Sequence, residues 1–374
     1  MSPSRSIPRS IILLPAAVLA ASLSLSGTAA SAAAPPDPEV LHEDLFSPLK
    51  LGLEIDGSVY VTDNFSGTLN RIARDGSFTT PYTTATPGNE VGAVSNFLGS
   101  VYFAETTADG SLLKKIDRRG NVSDLADLGR HEATSNPDGA QQYGFSDLPA
   151  DCAAQLPPFL PGADNGGAYT GEVYSHPYAT IGTPVGTVVA DAGANAILTV
   201  DFRGKVRTLA TLPPQPSVVG DWAVELGLPA CVVGHTYAWE AVPTDVELGA
   251  DGWIYASLLP GGPETPAAGA RGSVIKVNLL TGRVVTVATG LASPTDIALS
   301  PRGDIYVAEL MGDRISLIKK GQSSATLFRE AVAPAAVEWS PVGIYATVDA
   351  VPAFSPNPED PPPPPTGDVV LFRF

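Results

Sequence analysis

Asp245 and Asp296 each stand two residues after a proline that opens an alternating apolar run, in VPTDVEL and SPTDIAL. Carboxylates that recur at one place in a repeating fold converge in space. With Glu338 nearby, the pair could hold Ca²⁺ as a cofactor through hard oxygen ligands. The competing role is to cap loop amides. Trp222, Trp239 and Tyr143 could stack on a ligand or pack their own loops. Asn136, Asp138, His176, His235 and Glu240 add polar groups in irregular stretches of chain. Cys152 and Cys231 are the two cysteines. In an exported protein such a pair predicts a disulfide, and their separation excludes C-x-x-C redox chemistry. The sequence has no G-x-S-x-G, H-E-x-x-H, P-loop or EF-hand loop, and none of its four histidines pairs at metal-ligand spacing.

Export is itself predicted. Arg5 and Arg9 precede an apolar stretch from Ile11 to about Leu25, and Ala30-Ser31-Ala32 fits a cleavage site. The stretch is interrupted by Pro15, Ser22 and Ser24, and it is shorter than the roughly 20 residues a membrane span needs. The expectation is a signal peptide over 1–32, a secreted single domain over 33–374 and no membrane span. The chain carries 22 basic and 39 acidic residues, for a net charge of −17. Without Arg5 and Arg9 the balance is 20 − 39 = −19. Such a surface repels polyphosphate, which argues against a nucleic-acid partner. With 37 glycines, 36 prolines and short Val, Ile and Tyr runs, the chain reads as all-β.

The elements that position the candidate residues come from a repeat. SPLKLGLEIDGSVYVTD (47–63), VPTDVELGADGWIYASL (242–258) and SPTDIALSPRGDIYVAE (293–309) share one pattern. Pro48, Pro177, Pro243, Pro294 and Pro334 each precede a turn glycine by nine residues, at Gly57, Gly186, Gly252, Gly303 and Gly343; Glu90 stands nine before Gly99. Each copy predicts a hairpin of strands a and b. A second hairpin, c and d, follows with turns at Gly76, Gly120, Gly204, Gly282 and Gly321. Six four-stranded sheets arranged radially make a six-bladed β-propeller. The last copy lacks strand d, and EVLHEDLF (39–46) has no partner of its own. The N-terminal strand is therefore expected to close the last blade, pairing two edges that would otherwise be exposed.

Asp63, Glu105, Asp191 and Glu309 end strand b in their copies and are expected to accept hydrogen bonds at the turn that follows. Four insertions, near 130–174, 213–242, 259–271 and 350–366, exceed the minimal copy. The first two are d–a connections and the last two b–c connections. Alternating strand direction puts both kinds on one face, which becomes the candidate binding face. The PNPEDPPPPP run (356–365) reads as an exposed extended loop.

NPDG (136–139), YG (143–144), SHPY (175–178), VADAGANAIL (189–198), VPTDVELGADGWIYASLLPGGP (242–263) and LASPTDIALSPRGDIYVAEL (291–310) together resemble the ScyD/ScyE family of exported NHL-like propellers. The resemblance covers nearly the whole mature chain and implies no defined activity. The expected function is binding or scaffolding on the long-loop face, with Asn136, Asp138, Tyr143, His176, Trp222, Trp239, Glu240, Asp245 and Asp296 as candidate contacts. Its partner is a small molecule, a glycan or a protein. The alternative is a Ca²⁺-dependent hydrolase or lactonase of the gluconolactonase-like type, using Asp245, Asp296 and Glu338. A third class is a cell-surface structural or adhesion module.

Overall fold

The computed structural model describes residues 36–263, 265–352 and 363–374. The expected signal peptide (1–32) and residues 356–362 of the proline-rich run lie outside them.

Among the described residues the chain forms seven four-stranded antiparallel sheets. Sheet 1 is built from Lys50–Leu53, Val59–Asp63, Thr68–Ile72 and Phe78–Thr83, hydrogen-bonded in chain order. Sheets 2 to 5 repeat that order over 90–127, 177–211, 243–291 and 294–330. Sheet 6 combines Val337–Ser340, Gly343–Val348 and Gly367–Arg373 with the N-terminal strand Glu39–Leu45. Val40 lies opposite Val370 and Leu45 opposite Gly367. The turn glycines do what their spacing requires. Gly57, Gly99, Gly186, Gly252, Gly303 and Gly343 all have positive φ, a backbone region that costs other residues strain.

These strands are apolar on both faces because each sheet is covered on both sides. Val59–Asp63 is buried throughout. The apolar clusters are shared between consecutive sheets. Leu69 of sheet 1 packs with Phe103 of sheet 2, and Ile197 of sheet 3 with Ile254 of sheet 4. Leu51 of sheet 1 packs with Val369 of sheet 6, so the contacts close on themselves. The first strand of each of the six sheets contacts that of the next, and Val337–Ser340 contacts Lys50–Leu53.

The strand-end acids fasten the connections between sheets. Asp63 accepts from the Phe46 and Ser47 amides at 3.1 and 2.8 Å, clasping the link from the N-terminal strand to sheet 1. Asp191 accepts from the His176 amide at 2.7 Å, and Glu309 from the Ala292 amide at 2.6 Å. Glu105 differs: it is held by side chains, the Tyr82 and Thr84 hydroxyls and the Lys114 ammonium.

The seventh sheet has no counterpart in the repeat. Its strand order is Ala168–Thr170, Gln142–Phe145, Thr236–Trp239, Gln215–Val218, all drawn from the first two insertions. These segments are not loops but one small folded layer with its own core of Phe145, Cys152, Val219, Ala223, Val232 and Tyr237. Gly144, at φ +81°, lets the adjoining strand come close: a Cβ there would stand 2.0 Å from the Gly167 carbonyl oxygen. Cys152, in the short helix Ala150–Ala153, is bonded to Cys231, 79 positions on, with Cα atoms 5.8 Å apart. No described helix is long and apolar enough to cross a membrane.

Candidate functional site

The insert sheet and the 259–271 insertion enclose a cleft of about 390 Å³, lined by Phe159, Leu160, Tyr169, Trp222, Leu228, Tyr237, Trp239, Glu240, Gly262 and Pro263, among others. Trp239 ends an insert strand, and its indole N–H donates to the Ser217 hydroxyl at 2.7 Å. The Tyr237 ring lies 4.1 Å away centroid to centroid, and Trp222, on the helical turn Trp222–Glu225, lies at 6.4 Å. The third insertion is drawn onto this aromatic layer. The Arg271 guanidinium sits 4.6 Å over the Trp239 ring and donates to the Gly261 and Pro263 carbonyls at 2.8 and 3.0 Å. Gly262, at φ +94°, lies flat on the indole, where a Cβ would come within 2.2 Å of the ring.

Among the described residues that line the cleft, Glu240 is the one carboxylate. The Tyr169 hydroxyl faces it and Tyr237; burial, with Tyr237 and Glu240 beside it, pushes the Tyr169 phenol far above its ordinary range. From below, the Asn195 amide reaches Glu240 at 3.4 Å and donates to Asp138 at 2.8 Å, while its oxygen accepts from the Val242 amide at 2.9 Å. The Tyr143 hydroxyl donates to the same Asp138 oxygen at 3.0 Å. The motif residues thus converge on Glu240 as a support. Tyr143 and Asp138 are buried and do not line the cleft. Asn136 ends the helix Leu128–Ser135 in a left-handed conformation and donates to the Gly171 carbonyl at 3.2 Å.

Asp245 and Asp296 are brought together, as their shared place in the repeat predicts, but with an ammonium between them. Lys50 occupies the equivalent place in sheet 1. Its Nζ lies 3.1 Å from a carboxylate oxygen of each aspartate and donates to the Thr295 carbonyl at 3.0 Å. Asp245 also accepts from the Ile297 amide at 3.1 Å. Burial opposes the charge on Lys50, but Asp245 and Asp296 outweigh it and raise its pKa. Asp296 is pushed upward by burial and by Asp245, and Glu338 by burial and by Asp296. A calcium ion held by these acids would have to displace this buried ammonium. Among the described residues, no group of three or more His, Cys, Asp or Glu is arranged to hold a metal ion.

His176 is also apart from the cleft. Its Nε2 lies 2.9 Å from Glu90, the residue that replaces proline at the head of sheet 2. Burial pulls this imidazole down and Glu90 more than compensates, so its pKa is raised. His235 lies 3.5 Å from Asp147 within the insert. Of the expected contacts, Trp222, Trp239 and Glu240 line the cleft; Tyr169, Tyr237 and Phe159 were not foreseen. On the tight-turn side, a depression of about 700 Å³ is lined by Phe97, Arg118, Asp117, Pro184 and Phe202. Of its polar groups, Asp117 accepts from the Arg119 and Asn121 amides of its own turn, and Arg118 donates to the Leu98 carbonyl.

No protein-family model matches the chain, and no curated protein matches it. Solved structures do. The chain is similar to an oxidoreductase (glucose dehydrogenase) from Thermus thermophilus, at 14% identity over 90% of this chain and 99% of that one, with a TM-score of 0.51. It is similar to a gluconolactonase from Xanthomonas campestris at 10% identity, over 90% and 96% of the two chains, with a TM-score of 0.50. A virginiamycin B lyase from Staphylococcus aureus aligns at 17% identity over 82% and 79%, with a TM-score of 0.46. Identities this low speak to fold alone. The chain is an all-β protein of four-stranded antiparallel sheets with the fold of a β-propeller.

Proposed function

We propose that this chain is an exported six-bladed propeller of the ScyD/ScyE kind that binds a small molecule in the insert cleft and carries out no chemistry of its own. The six sheets that follow the a-to-d order are the blades, and the seventh is an accessory layer on the long-loop face. The Cys152–Cys231 bond fits an oxidising compartment outside the cell. The observation that carries the reading is the cleft itself. Among the described residues, five aromatic side chains and one carboxylate line a cavity of drug-ligand size, and a disulfide and a polar network hold its walls. The metal-dependent hydrolase reading loses its support where Lys50 stands between Asp245 and Asp296.

The test is a thermal-shift screen of small amphiphilic compounds against the mature protein and its Trp222→Ala variant. Compounds that raise the Tm of the parent but not of the variant support the proposal. Hits that stabilise both alike, or a lactonase activity lost in Asp296→Asn, would overturn it.

A further inference from the structure

Resting on the cleft as the binding site, we infer that its ligand is an organic cation: an amine or quaternary ammonium group on an apolar body. Glu240 sets the charge. Among the described residues, its side-chain neighbours are amide and phenol groups, Asn195 and Tyr169, rather than a lysine or arginine. The guanidinium nearest the cleft, Arg271, is turned to the Gly261 and Pro263 carbonyls. A carboxylate in apolar surroundings gains most from a ligand that brings the missing positive charge.

The walls favour the same class. Tyr169 and Trp222 line the cleft beside the buried Tyr237 and Trp239, and the negative face of an aromatic ring attracts cations. Arg271 over Trp239, at 4.6 Å, is an internal instance of that attraction. A sugar fits less well, because it needs many polar partners and the cleft has few to give. The Trp239 N–H is spent on Ser217, and the Tyr169 hydroxyl is turned toward Tyr237 and Glu240. An anion would meet Glu240 and a chain of net charge −17, whose field disfavours its approach.

The probe pair is benzyltrimethylammonium and neopentylbenzene, which share a shape and differ in charge. Binding is read by calorimetry and tryptophan fluorescence on the mature protein, Glu240→Gln and Trp222→Ala. The cation should bind the parent about tenfold more tightly than its neutral twin. Glu240→Gln should remove most of that preference and leave neopentylbenzene unchanged. Should Glu240→Gln fail to fold, the salt dependence of the parent decides instead: about 0.5 M NaCl should weaken the cation and spare the neutral compound. Equal affinity for the two probes would overturn the inference of charge recognition while leaving the cleft as the binding site. Binding of both probes undiminished in Trp222→Ala, or no binding of either, would overturn the cleft reading and this inference with it.

Discussion

Replacing Glu132 by glutamine should flatten part of the protein's pH dependence. Glu132 lies on the helix Leu128–Ser135, which packs against sheets 2 and 3, and it is 2% exposed. Neither carboxylate oxygen has a well-formed hydrogen bond among the described residues. Burial, then the repulsion of Asp191 and Asp138, pushes its pKa up to about 7 from an ordinary 4.5, and the nearby Tyr174 amide offsets this only in part. A carboxyl whose pKa is higher folded than unfolded binds its proton more tightly in the native state. Its contribution is therefore neutral below about pH 4.5, becomes unfavourable as the pH rises to about 7, and is constant above that. A shift from 4.5 to about 7 corresponds to roughly 3 kcal/mol at the alkaline end. Denaturant unfolding of the parent and Glu132→Gln at pH 5 and pH 8 should show the variant gaining about 2–3 kcal/mol on the parent between the two. A difference between the two proteins that is the same at both pH values would show that Glu132 does not carry a raised pKa in the folded state.

Lys50→Met should destabilise by about 3–5 kcal/mol at neutral pH, because it leaves two buried aspartates without their counter-charge. The loss should shrink at pH 4 as Asp296, whose pKa burial and Asp245 push up, takes up its proton, and melting curves at the two pH values check this. Replacing Cys152 and Cys231 by serine should cost up to about 4 kcal/mol on the chain-entropy account, and ligand affinity should fall under conditions where far-ultraviolet dichroism still reports intact sheets. Deleting 39–46 should expose Gly367–Arg373 and abolish a single cooperative calorimetric transition, whereas deleting 356–365, if the proline-rich run is an extended connection, should shift Tm little.

The sheets were legible because their spacing has a mechanical cause. A glycine nine residues after the opening proline is where each tight turn needs positive φ, as at Gly57 and Gly303. The insert sheet was not legible. Its strands are three or four residues long, as in Ala168–Thr170 and Thr236–Trp239, and they pair across widely separated segments. Runs so short carry too little alternation to be told from loop. The same distinction governs the site. Trp222, Trp239 and Glu240 were marked because they break the repeat, but Tyr169 and Tyr237 join the cleft only through pairings between segments that the sequence does not reveal. Asp245 and Asp296 were correctly brought together by position. Their partner Lys50 stands at the same place in sheet 1, and its length lets it reach both acids.

The central claim is that the insert cleft is where this protein binds. Soaking crystals of the mature protein in a library of small cationic, neutral and anionic aromatic fragments tests it most directly. Bound fragments should cluster between Tyr169, Trp222, Trp239 and Glu240, with the cationic members most frequent. Fragments gathered around Lys50 and His176, or on the tight-turn side near Phe97 and Arg118, with the cleft empty, would contradict it.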